Sequence, residues 1–287
     1  MASNLPKRVV LIAGPTASGK SALALEMALA QNGVIINADS MQIYCELRIL
    51  TARPTVGEMA IVPHRLYGHV AASDIYSVGH WQKQTVAEIN VAHAAGKLPI
   101  IVGGTGLYFM SLVNGLAEVP EIAPEVRNHW RKFAGDLHVQ LIGRDPIAAA
   151  KLHPSDRQRL IRALEVIDST GQSLSHWHEA AHAQAPLANY VVQKLLKFMP
   201  RETLYARADS RFDQMIEQGA LDEVRSLPPL EPAAPLMKAI GVRELLAHIK
   251  GELSLDEAKT KAQIATRQYI KRQLTWQRGQ MNDWEVV

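Results

Sequence analysis

Apolar residues gather along this chain in short solid runs. Val9-Val10-Leu11-Ile12-Ala13, Val34-Ile35-Ile36 and Leu98-Pro99-Ile100-Ile101-Val102 are unbroken, aliphatic and rich in β-branched side chains, and each is followed by glycine or small polar residues. Such runs predict strands buried on both faces, as in a parallel sheet. A further apolar run, Tyr190 to Met199, returns the chain to the same sheet. Helical patterns alternate with the runs. Ala22-Leu23-Ala24-Leu25-Glu26-Met27-Ala28 follows the first, and a helix opening at Pro200-Arg201-Glu202 continues through Tyr205, Phe212, Met215 and Ile216. From about 120 to 188 the chain reads as helices punctuated by Pro120, Pro124, Gly135, Pro146, Pro154, Gly171 and Pro186. The expected organisation is a core of residues 1–119 and 189–287 with a mainly helical insertion, 120–188.

Composition narrows the class. With 287 residues, 47% apolar and 21% charged, the chain can bury a full core and is not a disordered or low-complexity sequence. Its one cysteine, Cys45, cannot form an intramolecular disulfide, which fits a reducing compartment. Lys7-Arg8 and the apolar run after it imitate a signal peptide, but the run meets Gly14-Pro15 too soon. No apolar stretch approaches the ~18 residues of a membrane span. A soluble cytoplasmic protein with no membrane partner is expected. The net charge of +3 decides nothing by itself; its placement matters.

The segment Gly14-Pro15-Thr16-Ala17-Ser18-Gly19-Lys20-Ser21 has G-x-x-x-x-G-K-S spacing, between a strand and a helix as a phosphate-binding P-loop requires. Glycines let the backbone wrap a phosphate with its N–H groups inward, and the helix N-terminus adds partial positive charge. Lys20 adds a full charge, and Ser21 offers a hydroxyl to Mg²⁺, the expected cofactor. The fold class is therefore α/β: a P-loop NTPase-like parallel sheet flanked by helices, with the helical insertion. Ligands in such sheets sit beyond the strands' carboxyl ends. The second run ends in Asn37-Ala38-Asp39-Ser40 and the third in Gly103-Gly104-Thr105-Gly106. Asp39 is a candidate general base, with a magnesium ligand or a helix N-cap as its other readings. Thr105 is a candidate substrate contact or a plain turn residue.

Two basic elements stand apart from this centre. Ser155 and Gln158 have capping-box spacing and predict a helix from Asp156 to about Thr170. Its first turn then carries Arg157 and Arg159, which oppose the helix dipole unless an anion such as an RNA phosphate sits there. Gln158 and Arg162 are left for base edges or sugar hydroxyls, the plainer reading being a solvated charged face. Residues 259–280 hold six lysines and arginines and no acid. On a helix Arg267, Lys271 and Arg278 share a basic stripe, while Ala262, Ala265, Tyr269 and Trp276 share a packing stripe, the two aromatics reading as core. His178 and His182 have i, i+4 spacing but lack the remaining parts of a zinc site, and read as structural.

These residues carry a resemblance. The P-loop segment, Asp39-Ser40-Met41-Gln42-Ile43-Tyr44, Thr51-Ala52-Arg53-Pro54, Val102-Gly103-Gly104-Thr105-Gly106-Leu107-Tyr108, the stretch Asp156 to Val166 and the stretch Ala265 to Trp276 resemble, in order, the signatures of the bacterial tRNA dimethylallyltransferases. The resemblance implies transfer of the dimethylallyl group of dimethylallyl diphosphate to the exocyclic N6 amine of the adenosine 3′-adjacent to the anticodon, releasing diphosphate. It implies Asp39 and Thr105 as catalytic residues, and residues 14–21 as the diphosphate cradle. Contacts to the tRNA anticodon stem-loop are implied for Asp39, Ser40, Met41, Gln42, Thr105, Arg127, Gln158, Arg159, Leu160, Ile161 and Arg162. An arginine near the diphosphate is also implied, for which Arg207 and Arg211 stand at the right place in the chain, and a monomer is expected. The nearest rivals are a prenyltransferase of free adenine nucleotides, a P-loop small-molecule kinase and a non-catalytic P-loop protein that binds RNA.

Overall fold

The computed structural model describes residues 7–74, 76–117, 119–182 and 185–287, with the side chains of His178, Ala180, Ala181 and His182 outside the description. Six strands, β1 (Arg8–Ala13), β2 (Gly33–Asn37), β3 (His64–Arg65), β4 (Leu98–Gly103), β5 (Val191–Leu196) and β6 (Glu285–Val286), form one parallel sheet in the order β3-β2-β4-β1-β5-β6. The solid aliphatic runs are β1, β2 and β4, buried on both faces as their composition requires. Two-residue β3 and β6 are too short to impose a pattern on the sequence. Register places Ala13 beside both Gly103 and Leu196, so β1, β4 and β5 end at one level.

Ala24 and Ala28 of the helix Lys20–Ala30 pack on Val10, Ile12, Ile35, Ile100 and Val102. Small residues let this helix lie close to the sheet, which fixes the direction of its N-terminus at the end of β1. A second apolar cluster joins Ile43, Tyr44 and Leu47 to Phe212, Met215, Leu245, Ala258 and Ala262. It holds the helices Arg201–Glu217 and Leu255–Gln280 beside the segment after β2.

The C-terminal helix Leu255–Gln280 starts at a capping box formed by Ser254 and Glu257. Its buried stripe is Ala258, Ala262, Thr266, Ile270, Gln273 and Gln277. This corrects the packing stripe expected from Ala262, Ala265, Tyr269 and Trp276, of which only Ala262 is buried. Where the helix passes the loops after β1 and β4, the inward position is held by a hydrogen-bonding side chain, Gln273. The basic segment is partly neutralised: Arg267 of the stripe lies 3.4 Å from Asp209, and Lys259, outside the stripe, 2.8 Å from Asp213.

A second compact unit comprises Ser111–Ala188, and the remainder of the chain forms the first. Its start precedes the expected 120 because the chain enters it within the helix Gly106–Asn114, where no proline or glycine marks a break. Pro124 and Pro146 occupy first helical turns, and Asp136, Asp145 and Asp156 cap three successive helices through their side chains. The capping box predicted for Ser155 and Gln158 does not form: Asp156, one residue later, is a simple N-cap that accepts from Arg159 N, and Ser155 pairs with His153. Arg157 donates to the carbonyls of Arg131 and Phe133, so its place in a first turn has a structural reason.

Leu160 is fully buried among Trp130, Leu137, Leu141, Ala163 and Leu164. Its side chain leaves the expected RNA-contacting set, and Ile161 packs against the same cluster. Leu160→Ala should destabilise this unit by about 3 kcal/mol through lost burial and the cavity left behind, measured by denaturant unfolding.

Candidate active site

The loop after β1 is built to hold an anion. Gly19 takes φ 85° and Ala17 φ 67°, both left-handed; glycine does so freely, whereas alanine is strained there. The Ser18 amide donates to Pro15 O across the loop, and the first helical hydrogen bond runs from Leu23 N to Gly19 O. The amides of Lys20, Ser21 and Ala22 precede that bond, and no side chain caps this helix. They face outward as donors with the helix dipole behind them. Lys20 folds back to donate to Pro15 O at 3.2 Å. Burial, opposed by Asp39 and assisted by Arg211, lowers its ammonium pKa to about 8. Arg207 reaches to within 3.9 Å of where a side chain on Gly19 would begin.

Asp39 stands one strand away. Asn37, fully buried at the end of β2, accepts from Asp39 N at 2.9 Å and donates to Asp39 O at 3.0 Å. Trp81 Nε1 donates to Asn37 O at 2.7 Å, and its ring stacks on Tyr108 with centroids 4.2 Å apart. Asp39 Oδ1 accepts from Met41 N at 2.9 Å. Among the described residues Oδ2 takes no hydrogen bond. Thr105 Oγ1 accepts from Ser40 N at 3.0 Å and donates to Ser40 Oγ at 3.3 Å, so its hydroxyl fixes the turn that carries the acid.

Between β1 and β2 lies β4, and what ends it decides whether loop and acid can meet. It ends in Gly103 followed by Gly104, so β4 itself puts no side chain between loop and acid. The first carbon of a side chain on Gly104 would lie 2.5 Å from Gln273 Nε2 and 3.6 Å from both Asp39 Oδ2 and Gly14 O. Thr16 and Asp39 border one cavity of about 340 Å³. Arg211, Lys238, Tyr269 and Arg272 add polar groups to its wall, and Met41, Leu50, Phe212 and Met215 line the apolar part. Arg272 lies 5.7 Å from the Tyr269 ring centroid. Tyr269 is thus a half-buried wall residue, a correction to its reading as core, and burial with the charge of Asp39 raises its phenol pKa. Trp276 packs over Gly106.

Comparison with known proteins assigns the chain. The pattern of the IPP transferase family matches residues 42–280. The chain belongs to the IPP transferase family. A tRNA dimethylallyltransferase of Azorhizobium caulinodans is 52% identical over 96% of this chain and 90% of its own. One from Chelativorans sp. is 50% identical over 97% and 98%. The tRNA isopentenylpyrophosphate transferase of Bacillus halodurans superposes with TM-score 0.69 at 34% identity, covering 98% of this chain and 89% of that one. A eukaryotic dimethylallyltransferase acting on tRNA superposes with TM-score 0.82 at 28% identity, covering 98% and 73%.

Of the residues singled out in this family member's sequence, the structure brings the P-loop, Asp39, Ser40, Met41 and Arg211 together. Gln42 donates to the carbonyls of Thr51 and Ala52 and shapes the loop behind. Ser21 is exposed and borders a separate cavity of about 70 Å³ with Arg53, Glu58 and Tyr67. Arg127, Gln158, Arg159 and Arg162 lie in the second unit, where Arg159 pairs with Asp156 at 3.4 Å and Arg162 with buried Glu165 at 3.9 Å. Asn37, Lys238, Arg272 and Gln273 were not assigned roles from sequence. Asn37 could have been found as an Asx residue two positions before the acid, and Gln273 as a polar residue in helical register with the buried Ile270.

Proposed function

We propose that this protein transfers the dimethylallyl group of dimethylallyl diphosphate to N6 of the adenosine 3′-adjacent to the anticodon of tRNA. The observation that carries this reading is the bordering of one cavity by Asp39 and the P-loop residue Thr16, with the strand between theirs ending in Gly103-Gly104. An exocyclic adenine amine is a weak nucleophile because its lone pair is delocalised into the ring. As N6 forms its bond to the allylic carbon, Asp39 Oδ2 takes the N6 proton. On the far side of that carbon the C–O bond breaks and diphosphate leaves with the electron pair. Lys20, Arg211 and the first-turn amides stabilise the growing negative charge most when it is complete. The apolar wall suits the five-carbon chain.

No group of three His, Cys, Asp or Glu side chains among the described residues could hold a metal. Mg²⁺ would instead take the Ser21 hydroxyl with diphosphate oxygens and water, a donor set that suits this ion. When bound it neutralises charge on the diphosphate. RNA would be followed by Gln158, Arg159 and Arg162 in one unit, and by exposed Lys271, Arg272 and Arg278 in the other. The target base must leave its stack to enter the cavity.

Incubation with labelled dimethylallyl diphosphate and either unmodified tRNA or AMP tests the reading. Label is expected in tRNA, with binding that weakens steeply as salt rises. Label in AMP with salt-insensitive tRNA binding would establish the free-nucleotide activity instead.

A further inference from the structure

Gln273 is buried, yet it projects from the C-terminal helix into the space between the two glycine-bearing loops. Its Oε1 accepts from Thr16 N at 2.9 Å, and its Nε2 donates to Gly104 O at 3.0 Å. Only one orientation of the amide satisfies both, since a backbone N–H can only donate and a carbonyl can only accept. Tyr269, one helical turn earlier on the same helix, stands in the wall of the cavity. One side chain thus ties the loop after β1 and the loop after β4 to a single helix. Because the Thr16 amide is already engaged, the loop offers phosphate its later amides.

The geometry points to Gln273 as a positioning residue that sets the separation between the diphosphate cradle and Asp39. The inference rests on the proposed transfer, whose donor carbon must lie between leaving group and base. No substrate contact is assigned to Gln273; it acts through the two loops. Displacement of such a pair by about 1 Å costs on the order of 10²-fold in rate while leaving binding largely in place.

Two variants test this. Gln273→Leu keeps much of the volume and removes both hydrogen bonds; kcat for transfer should fall about 10²-fold, with the KM for tRNA and the affinity for inorganic diphosphate changed less than about threefold. Gln273→Glu keeps the acceptor for Thr16 but, when ionised, cannot donate to Gly104 O. Its kcat should be low at neutral pH and rise as acidification protonates the new carboxyl and restores the donor, relative to wild type at each pH. A purely structural role would lower thermal stability in both variants without that inverted pH profile. Gln273→Leu within threefold of wild-type kcat, or Gln273→Glu with a wild-type pH profile, would overturn the inference. Wild type that binds diphosphate but labels no tRNA would instead overturn the transfer reading.

Discussion

Asp39→Asn is expected to reduce transfer to tRNA by about 10³-fold while tRNA affinity stays within about threefold of wild type. The substitution is close to isosteric. Its amide oxygen can still accept from Met41 N, and the Asn37 bonds that shape the turn use only the backbone of residue 39. What is lost is the proton acceptor at Oδ2. The expected signature is a collapse of kcat with little change in either KM, because an interaction made only in the transition state has been removed. Single-turnover transfer with labelled donor, beside equilibrium tRNA binding, checks it. A rate within threefold of wild type would show that another group takes the N6 proton.

Lys20→Met should lower kcat/KM for the diphosphate donor by about 10²- to 10³-fold, on the scale of losing one donor from an anion hole. The wild-type enzyme should also show the lysine in its pH dependence. In the free protein Lys20 has a pKa of about 8, brought down chiefly by burial from the ordinary 10.5. Binding an anion requires the protonated form, so the KM for the donor should rise above about pH 8. A KM unchanged between about pH 7 and pH 9.5 would exclude Lys20 as the diphosphate's cation. Folding stability moves in the opposite sense. Between about 8 and 10.5 the unfolded chain holds more protons than the folded one, so Lys20 makes the protein more stable as pH rises through that window. Below it the folded state carries a poorly solvated charge. Lys20→Met should therefore raise the melting temperature of the ligand-free protein at neutral pH, with a gain that shrinks above about pH 8.

The parallel sheet could be read from sequence because three of its four inner strands are solid aliphatic runs, and the P-loop because its spacing sits between a strand and a helix. Asp39 was legible for the same reason: it follows a run that could only be an interior strand. The cavity was not. Its wall is assembled from residues far apart in the chain, Leu50, Arg211, Lys238 and Tyr269 among them, and no local pattern marks such a meeting. The C-terminal helix was misread where apolar periodicity was taken as the guide to its buried side. Gln273 faces inward because the two loops it meets supply a donor and an acceptor for its amide, while the Thr266 hydroxyl is satisfied within the helix by Ala262 O. Leu160 was assigned to RNA by resemblance, while its apolar character already favoured the core that the structure shows.

Strand order has a consequence for how the chain matures on the ribosome. β1 emerges before either strand it pairs with, β4 on one edge and, on the other, β5, which follows the whole of Ser111–Ala188. Until Leu196 clears the exit tunnel, the strand bearing the phosphate loop keeps an open edge, a state prone to mispairing. The helix that supplies Gln273 is later still, so the site can be completed only once that helix too has emerged.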